Sequence, residues 1–290
     1  MPWSDACQVP EDHSENLLDE LNGFRCLNTV NEDNNVTLII STVFPDAAIL
    51  LTDGAVVDQV GNLVRVQSKV FRSQSGYFAV AGAGQLDAIE VVASSLCNAA
   101  DAFGVVGAIG NLQSIVDGVH AETGDHFDDK ASKVFGEFVV SAFVPGRGGL
   151  HRFFSTVEKG SAPADASDRR IHAPWVVHTL REPVFGRCPS HKEMKEAGIR
   201  PLNLDERPAD WLREVGADIV EIERRKKMLT VNGEHCVIGG CLDLTVIDEH
   251  GFHIERLRTY ADVIGRPIDP FKVAPVGMNR HQRRAARAAA

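Results

Sequence analysis

Two short apolar runs around a proline set the first constraint on this chain. Residues 38–44, LIISTVF, and residues 47–52, AAILLT, flank Pro45-Asp46. Both runs are β-branched or aliphatic and the dipeptide between them is a turn signal, so they predict a β-hairpin. Residues 64–71 read as a third strand, Gln74-Ser75-Gly76 as a turn and residues 77–81 as a fourth strand. Thr37 opens this block, Asp53 stands sixteen positions later at the end of the second strand, and Lys69 stands sixteen further on. Ala81-Gly82-Ala83-Gly84 then reads as a turn ahead of a helical run. Strand-end positions let Asp53 and Lys69 converge on the start of the first strand.

Each residue alone has an ordinary reading: Thr37 as a strand residue, Asp53 before Gly54 as a turn residue, Lys69 as a solvated charge, Gly82 and Gly84 as turn punctuation. Together they suit acyl transfer. A threonine hydroxyl needs a base to become a nucleophile, and an N-terminal threonine carries one in its own α-amine. That amine titrates at about 7.7–8.0 when unperturbed. A neighbouring ammonium, here Lys69, pushes it down by disfavouring a second positive charge, and Asp53 would keep Lys69 charged and oriented. The backbone N–H of Gly82 would face the oxyanion, where a missing Cβ permits close approach.

Thr37, Asp53 and Lys69 at this spacing, Gly82 after a one-residue deletion, and the Asp53-Gly54 pair resemble the opening of proteasome β-type subunits and the bacterial HslV-type protease. These are the threonine branch of the N-terminal-nucleophile hydrolases. Residues 237–257, VIGGCLDLTVIDEHGFHIERL, resemble the closing hairpin of the same family. The resemblance implies an α+β fold, the four-layer αββα sandwich, and cleavage of a peptide or protein substrate through an acyl-enzyme on Thr37. It also implies a homo-oligomeric ring and an ATP-driven unfolding partner. From the residues themselves no cofactor and no metal are expected. Four residues past the Asp, where the family often has Thr or Ser against the substrate backbone, this chain has Val57; part of that contact is main-chain.

Thirty-six residues precede Thr37, and an amide nitrogen cannot serve as the base. Two routes to a free amine are expected: self-cleavage at Val36–Thr37, or translation starting at a Val36 codon read as initiator Met, which is then removed. Without either, the chain is a non-catalytic proteasome-like scaffold or interaction subunit. An amidase acting on small acylated molecules needs the same nucleophile and differs in pocket shape.

Residues 1–36 are acidic and poorly patterned, reading as a leader or a mis-called start, with a short helix near 15–21 and a linker at 31–35. Residues 37–272 form the domain. Within it, Leu86, Ile89, Val92, Ala93 and Leu96 make a helical stripe, and a second helix is expected over 105–121. A loop over 125–130 and a hairpin of 138–144 with 150–157 follow. Residues 158–209 read as an irregular insertion, with a loop over 159–168, a strand at 175–179 and turns over 183–208. Residues 210–228 form a helix facing Trp211, Leu212, Val215, Ile219 and Ile222 one way, with Arg224–Lys227 favoured by its dipole. Residues 273–290, an Arg- and Ala-rich tail, read as disordered, with an acidic partner or nucleic acid as the other reading.

Composition sets the remaining limits. A formal net charge of −10 argues against a general nucleic-acid binder. No run approaches a membrane span and no signal sequence is evident, so a cytoplasmic location is expected. The six cysteines form no CxxC pair, which favours reduced thiols. Neither Cys188 with His191 nor His235, Cys236, Cys241, His250 and His253 match a strong zinc spacing. GAGQLDA lacks the residues of a phosphate loop.

Overall fold

The computed structural model describes residues 37–128, 136–156, 159–161, 170–179, 184–185, 189–203, 205–230 and 233–271. The expectations for 1–36, for Cys188 and for the 273–290 tail lie outside them, as does most of the 159–168 loop. The fold is mixed α+β, with antiparallel sheets.

The first hairpin forms as the sequence predicts: β1 (Ile39–Val43) pairs with β2 (Ala47–Asp53), Ile39 opposite Thr52. The expected third strand does not form as one piece. It splits into β4 (Leu63–Val66), paired with a short β3 (Ala55–Val57), and β5 (Val70–Arg72), which belongs to another sheet. The Gln67 amide bonds the Gly54 carbonyl at 3.0 Å and closes the β3–β4 ribbon before the chain crosses to β5. Next comes β6 (Phe78–Gly84), so the expected Ala81–Gly84 turn is strand instead.

Helix α1 (Leu86–Gly110) carries the predicted stripe and is interrupted at Gly104, whose φ of 69° and ψ of 161° are not helical. Helix α2 (Leu112–Asp128) follows after a break at Asn111, so the expected 105–121 helix is divided and the expected loop at 125–128 is helical. Against the expectation that no run approaches a membrane span, α1 is long and apolar enough by length and composition to cross one. Its inward stripe packs on the sheet below it. Then come β7 (Gly136–Val144), β8 (Gly148–Ser155), β9 (Lys159–Ser161), β10 (Arg170–His172), β11 (Val184–Phe185) and α3 (His191–Glu196). The expected strand at 175–179 is reduced to a single bridge from His178 to Phe153. Trp175, at φ 61°, turns the backbone out of the extended region there. Helix α4 (Pro208–Arg224) ends four residues earlier than expected, because Met228 starts β12 (Met228–Thr230). Last come β13 (Gly233–His235), β14 (Cys241–Asp248) and β15 (Gly251–Thr259).

One sheet has the order β11-β1-β2-β14-β15 and another β5-β6-β7-β8. Strand alternation explains why β2 is buried along its whole length. Ile49 and Leu51 face α4 with Trp211, Leu212 and Ile219, while Ala48 and Leu50 face the other sheet. Likewise Phe78 and Val80 pack under α1 and α2, whereas Ala79, Ala81 and Ala83 meet Ala48, Leu50 and Ile39. Alanines at this interface let the two backbones approach closely. Gly149 shows the limit: its amide donates to the Phe44 carbonyl at 2.9 Å, and a Cβ there would overlap the Ala47 carbonyl.

Candidate functional site

Asp53 ends β2 and is opposite Leu242 of β14. The residue as a whole is 1% exposed, a costly place for a charge unless it is paired and hydrogen-bonded. Oδ1 accepts the Leu38 amide at 3.0 Å and the Lys69 ammonium at 2.9 Å. Oδ2 accepts the amides of Ala55 at 3.1 Å and Gly239 at 3.2 Å. Four donors match the acceptor capacity of a carboxylate. The Leu38 bond also fixes the start of β1, so the residue before it, Thr37, is held beside the carboxylate.

Lys69 lies just before β5, where the chain crosses from the β3–β4 ribbon to the second sheet. That crossing turns its side chain inward: the ammonium donates to Thr37 Oγ1 at 3.0 Å and to Asp53 Oδ1 at 2.9 Å. Its side chain is 8% exposed and that of Asp53 0%. The solvated-charge reading of Lys69 is therefore excluded, and three residues spread over 32 positions meet around one nitrogen.

Gly82 lies within β6, opposite Phe138. The Phe78 carbonyl accepts from the Ser73 amide, which fixes the side of β6 that faces β5. By alternation, Gly82 presents its N–H on that same side. The ladder with β5 ends at the Val70–Ala81 pair, so this N–H lies just past it, and Gly82 lines the cleft that Thr37 also lines. The packing of β6 also requires glycine at this position. A Cβ at Gly82 would overlap the Cγ2 of Ile89 on α1, so the missing side chain makes room for the helix.

The cleft is about 300 Å³, and Val57, Phe71 and Ile89 line it together with Thr37, Lys69 and Gly82. Behind Asp53, the Cys241 thiol is pushed up to about 11, first by burial and then by Asp243, and so stays protonated at neutral pH.

Sequence reasoning missed Gly239, Arg224 and Asp262. Gly239-Gly240 entered only as part of the 237–257 stretch that resembles the closing hairpin, and Arg224 only as a cation favoured by the α4 dipole. Arg224 is 4% exposed and paired with Asp262. Among the other histidines and cysteines, His191 is the first residue of α3, and His250 and His253 are exposed near the β14–β15 turn. Among the described residues, no group of three or more His, Cys, Asp or Glu side chains is arranged to hold a metal.

The arrangement can do one thing directly: fix a threonine hydroxyl against a buried ammonium at the edge of a cleft, with a backbone N–H on the same wall. No protein-family model matches this chain, and no curated protein matches it.

Proposed function

We propose that the chain is a threonine-type peptidase of the N-terminal-nucleophile class, built on a four-layer αββα sandwich. Two sheets sharing a face, with α1 and α2 on one outer side and α3 and α4 on the other, support that architecture. The observation that carries the activity is the Lys69 ammonium within hydrogen-bond distance of both Thr37 Oγ1 and Asp53 Oδ1.

In the 290-residue chain the Thr37 nitrogen is the amide that joins Val36. The catalytic form is the one in which that nitrogen is a free amine. There the amine takes the Thr37 hydroxyl proton as Oγ1 attacks the substrate carbonyl. The Lys69 charge keeps the amine neutral and basic, and the Gly82 N–H donates to the oxyanion. Collapse breaks the C–N bond, and the proton passes from the amine to the departing nitrogen. Water then attacks the ester on Oγ1 and releases the acid. Ring assembly with an ATP-driven unfolding partner goes with this reading.

Intact mass of the protein purified from its producing cell, combined with labelling by a threonine-directed β-lactone or epoxyketone, tests it. A mass beginning at Thr37 and an adduct lost in Thr37→Ala is the expected result. The amide linkage at Val36–Thr37 favours a second reading, a non-catalytic scaffold subunit. A chain confirmed to begin at Thr37 that takes up no label decides for the scaffold.

A further inference from the structure

We propose that the buried Arg224–Asp262 ion pair is the positioning device for Asp53, and through Asp53 for Lys69 and Thr37; this rests on the threonine-peptidase reading above. Arg224 is the last residue of α4. Its Nη1 donates to Asp262 Oδ2 at 2.8 Å and to the Ile238 carbonyl at 2.9 Å, and its Nη2 donates to Asp262 Oδ1. The guanidinium lies 4.2 Å from the centroid of the Tyr260 ring. Asp262 Oδ2 also accepts the Gly240 amide at 2.8 Å. Ile238 and Gly240 are therefore tied to the same ion pair, one on each side of Gly239.

Gly239 has little freedom between those two ties. Its N–H donates to Asp53 Oδ2 at 3.2 Å and its carbonyl accepts the Gly54 amide at 3.2 Å. A Cβ at Gly239 would overlap both Arg224 Nη1 and Asp262 Oδ2, so the segment passes flush against the ion pair. Gly240, at φ 71°, then takes a backbone conformation that L side chains rarely adopt. The chain of contacts runs from Arg224–Asp262 to the 238–240 backbone, to Asp53, to Lys69 and to the hydroxyl. Neither Arg224 nor Asp262 lines the cleft. A buried ion pair is commonly no more stabilising than a well-packed apolar replacement. What this pair supplies is the placement of one backbone donor.

Loosening the pair would let Gly239 and then Asp53 shift, so Lys69 would no longer be held against Thr37. In the form with a free amine at Thr37, the amine would feel less of the ammonium and its pKa would rise. Acylation would then slow, and the acid limb of its pH profile would move to higher pH.

The test uses Asp262→Asn and Arg224→Lys in the full chain, with Tyr260→Phe as a control that keeps the ring under Arg224. Residue-resolved amide hydrogen exchange is read at Leu38 and Ala55, which bond Asp53 and touch neither member of the ion pair. Their exchange is expected to speed up about tenfold in both variants, with Leu244 unchanged. β-lactone acylation is expected to fall about 10–100-fold, with its acid limb at higher pH. Tyr260→Phe is expected to move neither. If Asp262→Asn does not fold, Arg224→Lys, which keeps the charge, carries the same readouts. Unchanged exchange at Leu38 and Ala55 in a folded variant overturns the proposal, as does faster exchange with unchanged acylation in a reactive protein. Wild type beginning at Thr37 and refusing the label, with exchange still responding, removes the peptidase reading and leaves the link from the ion pair to Asp53 standing.

Discussion

The amide of Gly239 donates to Asp53 Oδ2 at 3.2 Å across 186 positions of sequence. It joins the amides of Leu38 and Ala55 and the Lys69 ammonium on one carboxylate. Asp53→Asn keeps the size of the side chain but turns one acceptor into a donor facing donors, and leaves Lys69 buried without its counter-charge. Breaking one side of a buried pair typically costs about 3–5 kcal/mol. Urea unfolding of Asp53→Asn is expected to show a loss in that range. A loss under about 1 kcal/mol would mean that the carboxylate is not the anchor described.

Thr37 contributes far less to stability. Removing its hydroxyl takes one acceptor from Lys69, while the bond from Lys69 to Asp53 at 2.9 Å remains. Thr37→Ala is expected to cost about 0.5–1.5 kcal/mol in a urea titration, the ordinary net value of one hydrogen bond. Thr37→Ser keeps an acceptor and is expected to hold near wild-type stability. In the peptidase form Thr37→Ser takes up a β-lactone and Thr37→Ala does not. A collapse of the Thr37→Ala fold would instead make the residue structural.

The first hairpin, the α1 stripe, the hairpin of β7 and β8 and the β14–β15 hairpin were all legible in the sequence, because alternation and helical spacing are local patterns. Asp53 and Lys69 were legible as a pair because each ends or precedes a strand near Thr37. The break at Gln67 was not, since Val64 to Phe71 reads as continuously strand-like, and what divides it is non-local: β4 pairs with β3 and β5 with β6, in different sheets. Gly82 looked like turn punctuation because its partner, Phe138, lies 56 positions away in β7. Arg224 and Asp262 were out of reach for the same reason. A cation at a helix end is ordinary when read locally, and nothing periodic connects it to an aspartate 38 residues later.

Gly82→Ala separates packing from hydrogen bonding, because alanine retains the N–H. The new Cβ would overlap Ile89 Cγ2, which is 4% exposed in the core under α1. Overpacking of this kind costs about 1–3 kcal/mol, and Ile89→Ala alone costs about 2–5 kcal/mol. The double variant is expected to be more stable than the sum of the two single losses implies, with the coupling read from a double-mutant cycle of urea unfolding. Simple additivity would mean that the two residues do not contend for the same space.

Cys97 gives the fold a defined alkaline weakness. It is 5% exposed on the inner face of α1. Burial, and after it the charge of Asp101, raises its thiol from an ordinary 9.0 to about 12. The folded state therefore holds this proton more tightly than the unfolded chain. Its contribution is fully present below about pH 9 and is lost as pH rises towards 12. Over that window it removes at most roughly 1.4 kcal/mol per pH unit. Cys97→Ala, which cannot ionise, is expected to show a shallower alkaline decline than wild type in urea unfolding at pH 8, 9 and 10, alongside a constant offset for the lost sulfur. In the native protein at pH 8, iodoacetamide is expected to leave both Cys97 and Cys241 unmodified and to alkylate them only after unfolding, as read by peptide mass. Rapid native alkylation of Cys97 would show that α1 lifts from β6 and β7 far more often than its packing implies.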